Sequence, residues 1–87
     1  MAWKQEQEFG TDLLQRPLYE VYIKETEGEK TKIELGYFVD ARNDRLEIAQ
    51  NPILTKGNRE EGSKLTATVL TIPQGEILSY KQYVQKD

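Results

Sequence analysis

The side chains of this chain that could carry chemistry are carboxylates, lysines, arginines and hydroxyls, because it holds no cysteine and no histidine. Thiolate nucleophiles, disulfides and cysteine metal sites are therefore excluded. The commonest general base and the commonest transition-metal ligand are missing too. Acid–base catalysis can still run on Asp and Glu alone, so their clusters come first. Glu25, Glu27 and Glu29 stand among Lys24, Lys30 and Lys32, the alternation of a solvated turn. "DARND" offers Asp40, Asn43 and Asp44 as oxygen donors. A calcium loop needs more oxygens at fixed spacing and a glycine at its bend, so an Asx-type turn accounts for the stretch better. "TKGNREEGSK" sets Lys56, Asn58, Arg59, Glu60, Glu61 and Lys64 around Gly57 and Gly62. The glycines have phosphate-loop separation, yet Ser63 precedes Lys64 instead of following it, so that signature is not met. We read a charged loop whose Lys56 and Arg59 are available to a partner. The expectation is a protein that is not an enzyme and has no cofactor and no metal.

Composition bounds the rest. The chain has 87 residues, 37% hydrophobic and 31% charged, with a net charge of −3. That length makes one small domain with a thin stability margin. The acidic balance, with a pI near 5.0, favours solubility and disfavours broad binding to nucleic acid or anionic membrane. No apolar run approaches the roughly 20 residues that span a bilayer. "MAWKQEQEFG" lacks the apolar core of a secretory signal, so the expected location is cytoplasmic.

The elements that must position these residues follow from period-two alternation. Residues 1–17 read as an arm that docks through Trp3 and Phe9, with one helical turn capped by Thr11 and ended by Pro17. Residues 18–87 read as a small antiparallel β domain. "LYEVYIK" sets Tyr19, Val21 and Ile23 on one face and Leu18, Tyr22 and Lys24 on the other. "TKIELGYFV" sets Ile33, Leu35, Tyr37 and Val39 together, and the two segments read as a hairpin. "RLEIA" is a third strand with Leu46 and Ile48 inward. Residues 50–63 read as a long loop pinned by Ile53 and Leu54. "KLTATVLTI" is the cleanest strand, and "PQGE" is a turn in which Gly75 takes the unusual dihedral. "ILSYKQYV" reads as a strand returning on its predecessor, with a capped helix as the alternative. The fold class is mainly β, or α+β, as one antiparallel meander or open barrel of four to five strands.

One stretch carries a family likeness. In "IPQGEILSYKQYV", Ile72, Pro73, Gly75, Ser79 and Tyr80 resemble the motif that opens the DNA-binding domain of alkylguanine-DNA alkyltransferases. The resemblance implies a helix after the glycine, then a recognition helix and a Pro-Cys-His-Arg segment. This chain has neither Cys nor His to match that segment.

The functional reading comes from apolar residues on both strand faces. One face is assigned Tyr19, Val21, Ile23, Ile33, Leu35 and Tyr37, the other Leu18, Tyr22 and Phe38. A small domain covers one face by curling, and the second needs a cover. The N-terminal arm supplies one candidate cover, through Trp3, Phe9, Leu13 and Leu14. A protein partner or a second copy supplies another, giving a non-enzymatic interaction module whose partner face includes Leu18, Tyr22, Phe38, Lys56 and Arg59. A nucleic-acid-binding barrel, with Lys24, Lys32, Arg42 and Arg45 along a groove, is an alternative. An acidic inhibitor, such as a phage accessory protein presenting carboxylates as phosphate mimics, is another.

Overall fold

The structure, a computed structural model, describes residues 2–25, 30–57 and 62–83. Their strands are β1 (Trp3–Phe9), β2 (Leu18–Lys24), β3 (Thr31–Ala41), β4 (Arg45–Lys56), β5 (Ser63–Pro73) and β6 (Ile77–Gln82). All pair antiparallel in one sheet of order β1-β5-β4-β3-β2-β6. The alternation in the sequence thus gives a mainly β protein, with six strands. Two short 3₁₀ turns, Thr11–Gln15 and Gln74–Glu76, complete the elements among the described residues.

The sheet is curled. Val21 and Ile23 of β2 share one buried cluster with Leu46 and Ile48 of β4 and Leu70 and Ile72 of β5, although β3 lies between β2 and β4. Only a layer bent back on itself brings these residues together. Tyr19, Phe38 and Ile77 pack against the same concave cluster. Gly36 marks the bend: a Cβ there would stand 2.9 Å from the Ala49 carbonyl oxygen and 3.0 Å from Ile48. Backbone approaches backbone at a distance that only glycine permits.

The convex face has its own cluster. Leu13, from the turn Thr11–Gln15, is 1% exposed and packs with Ala49, Leu65 and Ala67, flanked by Phe9, Tyr37 and Val39. Arg16 anchors the end of this turn through its guanidinium, which donates at 3.4 Å to the carbonyls of Phe38 and Val39. The turn starts after Gly10, so Thr11 is its first residue and not its cap.

Several expectations are corrected. Residues 3–9 are a strand of the sheet, paired with β5 through seven residues. Phe9 docks as expected, while Trp3 stays 49% exposed. The long loop is mostly strand: β4 runs to Lys56, past a bulge where Asn51 and Pro52 together face Ala67. Asn51 has φ +51°, the left-handed conformation that Asn tolerates best among non-glycine residues. Proline lacks the N–H that a regular ladder needs, so a bulge suits Pro52. Ile53 and Leu54 are 65% and 53% exposed and do not pin that segment to the core. Gly75 does not adopt a positive φ. β6 is a strand, as expected, but it pairs with β2 and not with the preceding β5. The helix implied by the alkyltransferase resemblance is therefore absent from residues 77–82.

Candidate docking face

The β2–β3 hairpin decides which side chains face outward. Its closing pair is Lys24 with Thr31, so the connection has an even number of residues and odd positions fall opposite even ones. Tyr22 lies opposite Ile33, Glu20 opposite Leu35 and Leu18 opposite Tyr37. Ile33, Leu35 and Tyr37 therefore share the convex face with Leu18 and Tyr22. The expected grouping with Tyr19, Val21 and Ile23 is overturned. Phe38 also changes sides, meeting Tyr19 edge-to-face at 5.6 Å in the concave cluster. Tyr80 of β6 extends this row, its ring 6.0 Å from Tyr19.

β6 continues the convex face. Ser79 lies opposite Tyr22 and Lys81 opposite Glu20, and the Tyr83 amide donates to the Leu18 carbonyl at 2.6 Å. At the centre, Lys81 pairs with Glu20 at 3.6 Å and its Nζ sits 6.0 Å from the Tyr22 ring centroid. The Tyr22 hydroxyl donates to Glu20 at 3.3 Å. Apolar side chains surround this polar centre: Ile33 is 59% exposed, Leu35 44% and Tyr83 41%. Leu18 and Tyr22 are half-buried. A shallow depression lined by Glu20, Lys81, Gln82 and Tyr83 lies at one margin.

Beside this face the sheet forks. β3 and β4 pair from Tyr37 with Ala49 to Ala41 with Leu46, and among the described residues no pair joins 31–36 to 51–56. The β2–β3 and β4–β5 hairpins diverge, leaving two strand edges facing an open fork. Gln50 sits at the crotch, where its Nε2 donates to Glu34 at 2.6 Å and to the Leu35 carbonyl at 3.1 Å. Glu34 also pairs with Lys32 at 3.1 Å. Burial pushes the Glu34 carboxyl up, but hydrogen bonds from Gln50 and Lys32, with the charges of Lys32 and Lys4, outweigh it and hold the group below its usual range. The same contact with Glu34 raises Lys32 above its usual value.

The expected site residues are thus divided. Leu18 and Tyr22 lie together on the convex face. Phe38 lines the opposite side of the sheet. Lys56 is exposed at the end of β4, on the other arm of the fork. Arg59 lies outside the described residues, as do Asn58, Glu60, Glu61 and most of the Glu25–Glu29 cluster. The cations of the nucleic-acid alternative do not gather. Lys32 and Arg42 stand toward opposite ends of β3, roughly 30 Å apart along the strand. Arg42 pairs with Asp40 at 2.9 Å, which lowers that carboxyl, and Arg45 reaches Asp44 and Glu47 at 3.5 and 3.6 Å. Among the described residues, no three His, Cys, Asp or Glu side chains come together as a metal site. No helix among them is long and apolar enough to cross a membrane.

Sequence reasoning missed Ile33 and Leu35 as outward residues. The signal that could have found them is the length of the connection between the two strands. Comparison with protein-family models, curated proteins and solved structures returns no match for this chain.

Proposed function

We propose that this protein is a small non-enzymatic interaction module that binds a protein partner on the convex face of β3, β2 and β6. The observation that carries the reading is the outward placement of Ile33 and Leu35 beside Tyr22 and Leu18, with no element among the described residues packed over them. Fully burying an aliphatic side chain of this size contributes roughly 1.5–3 kcal/mol. Tyr22 is the anchor, an aromatic held in one orientation by Glu20 and Lys81. The Glu20–Lys81 pair gives a partner's polar groups a fixed register. The free edge of residues 31–36 adjoins the face, so an extended partner segment can add main-chain hydrogen bonds there.

A photo-crosslinking amino acid placed at Ile33 or Leu35 in the full chain tests this in an extract of the source cells. One adduct of defined mass is expected from both positions and none from Arg42, at the far end of β3. Ile33→Asp, assayed with the crosslinker at Leu35, should abolish the adduct while leaving the unfolding midpoint unchanged. Adducts no different from the Arg42 control, or an adduct that survives Ile33→Asp, would overturn the proposal.

A further inference from the structure

The outer edge of β1 is a regular strand edge with no strand paired to it among the described residues. β1 ends one side of the sheet, and its seven pairs with β5 run without a bulge. It contains neither proline nor glycine, and residues 3–8 are all exposed. The turn that follows folds back over β5, placing Leu13 against Leu65 and Ala67. Edges are usually blunted by prolines, bulges, short length or charged side chains. Of these β1 has only its charges, Lys4, Glu6 and Glu8, which a two-fold ladder pairs rather than repels except at Glu6. The opposite edge, β6, carries a register shift in its pairing with β2.

The sequence of β1, "WKQEQEF", is complementary to itself when reversed about Glu6. In an antiparallel two-fold ladder centred there, Trp3 falls opposite Phe9, Lys4 opposite Glu8 and Gln5 opposite Gln7, each twice by symmetry. The register with β5 puts Lys4, Glu6 and Glu8 on the concave side, level with Leu70, Thr68 and Thr66, and Trp3, Gln5, Gln7 and Phe9 on the convex side. Opposite charges would meet on one face and aromatics on the other, the cross-strand pairs that stabilise antiparallel ladders. Glu6 alone meets its own copy, a like-charge contact on the axis.

We propose that a second copy of this chain pairs with β1, joining two six-stranded sheets into one through a β1–β1 ladder centred on Glu6. This rests on the reading of the protein as an interaction module, but it uses a strand edge and not the convex face. The contact is isologous, so it closes as a dimer. One strand edge buries less than a standard interface, so the dimer is weak and concentration-dependent.

Sedimentation equilibrium of the full chain at micromolar and higher concentrations tests the ladder. A monomer–dimer equilibrium is expected. Lys4→Glu and Glu8→Lys should each raise its dissociation constant roughly tenfold or more, and the double variant should restore it. Glu6→Gln should tighten the dimer, because it removes the like-charge contact. In a ladder centred on Gln5, Lys4 would face Glu6 and the same variant would loosen it. Trp3 is the only tryptophan, so its emission should move to shorter wavelength as the dimer forms. A strict monomer, a dimer indifferent to both charge reversals, or loosening by Glu6→Gln would overturn the proposal. A monomer that still crosslinks through Ile33 sinks the ladder alone. A charge-sensitive dimer without that crosslink sinks the docking face alone.

Discussion

Gly36→Ala isolates the contact that lets the sheet curl. The new Cβ would stand 2.9 Å from the Ala49 carbonyl oxygen, a backbone atom that moves only if β3 and β4 separate. The Ile48 side chain at 3.0 Å offers no escape, because Ile48 is fully buried in the concave cluster. Overpacking of this kind costs about 1–3 kcal/mol. Against it, alanine restricts the unfolded chain and returns about 0.4–1 kcal/mol. The net expectation is a loss of about 1–2 kcal/mol, which for a domain of this size lowers Tm by roughly 5–15 °C. Urea unfolding followed by far-ultraviolet circular dichroism measures it as a lower midpoint at unchanged slope. Gly36→Val, whose branched side chain needs more room, should lose more than alanine. A neutral or stabilised Gly36→Ala would refute the close approach, and with it the bend that separates a concave from a convex face.

Leu13→Ala should cost about 3–5 kcal/mol in the same assay, since the flanking Ala49 and Ala67 are too short to fill the space. Leu14→Ala, on the exposed side of the same turn, should stay within about 0.5 kcal/mol of the parent. Glu34 gives a pH signature. Its carboxyl is held below the ordinary value of 4.5, so its contribution is present above that pH and is lost as pH falls from there through the lower folded value. Glu34→Gln should therefore be less stable than the parent near neutrality, by about 1 kcal/mol or less, and the gap should close as the carboxyl protonates in acid. A gap that persists in acid would assign the effect to packing. Ile33→Asp should leave the urea midpoint within about 0.5 kcal/mol, because the side chain it replaces is outward.

The strands with apolar alternation were legible because each has a buried face. In β5, Leu65, Ala67 and Val69 alternate with Thr66, Thr68 and Leu70, and the structure buries its apolar residues on both sides. β1 was not legible as a strand. Its core contact is Phe9 at one end, and the positions between are Lys, Gln and Glu facing water at a sheet edge. The far half of β4 was hidden differently: Pro52 and the glycines beyond it are loop chemistry, and a bulge absorbs the proline without ending the strand. Pairing was harder than strand identity. The faces of β2 and β3 were each read correctly, but the relation between them depends on one residue of register, and a one-residue slip exchanges every side chain. That slip moved Phe38 out of the docking face and brought Ile33 and Leu35 into it. The partner of β6 depends on the curl, which brings the end of β5 beside the outer edge of β2, and no local pattern in residues 77–82 records it.

The curl also decides where a partner can bind. A flat six-stranded sheet with these residues would expose two apolar faces. Bending at Gly36 lets β2 and β6 close over β4 and β5, so the concave residues bury one another and need no partner. The turn carrying Leu13 covers the convex side only over β5, β4 and the end of β3, as far as Val39 and Tyr37. Beyond Tyr37 the hairpins fork, and the chain has no further described element to lay over Tyr22, Ile33 and Leu35. Covering them from within would need a longer N-terminal turn or a β3–β4 ladder continued past Tyr37. Pairing residues 31–36 with 51–56 would close the fork and bring Ile33 near Leu54, which shares its convex face. The Asn51–Pro52 bulge opposes that, because it turns the end of β4 and lacks the Pro52 N–H a ladder would use. Asn51→Gly keeps the left-handed φ and should preserve the bulge. Deleting Pro52 should straighten β4, draw Ile33 and Leu54 together and reduce crosslinking from Ile33. If that deletion left Ile33 as reactive as in the parent, the bulge would not be what holds the fork open.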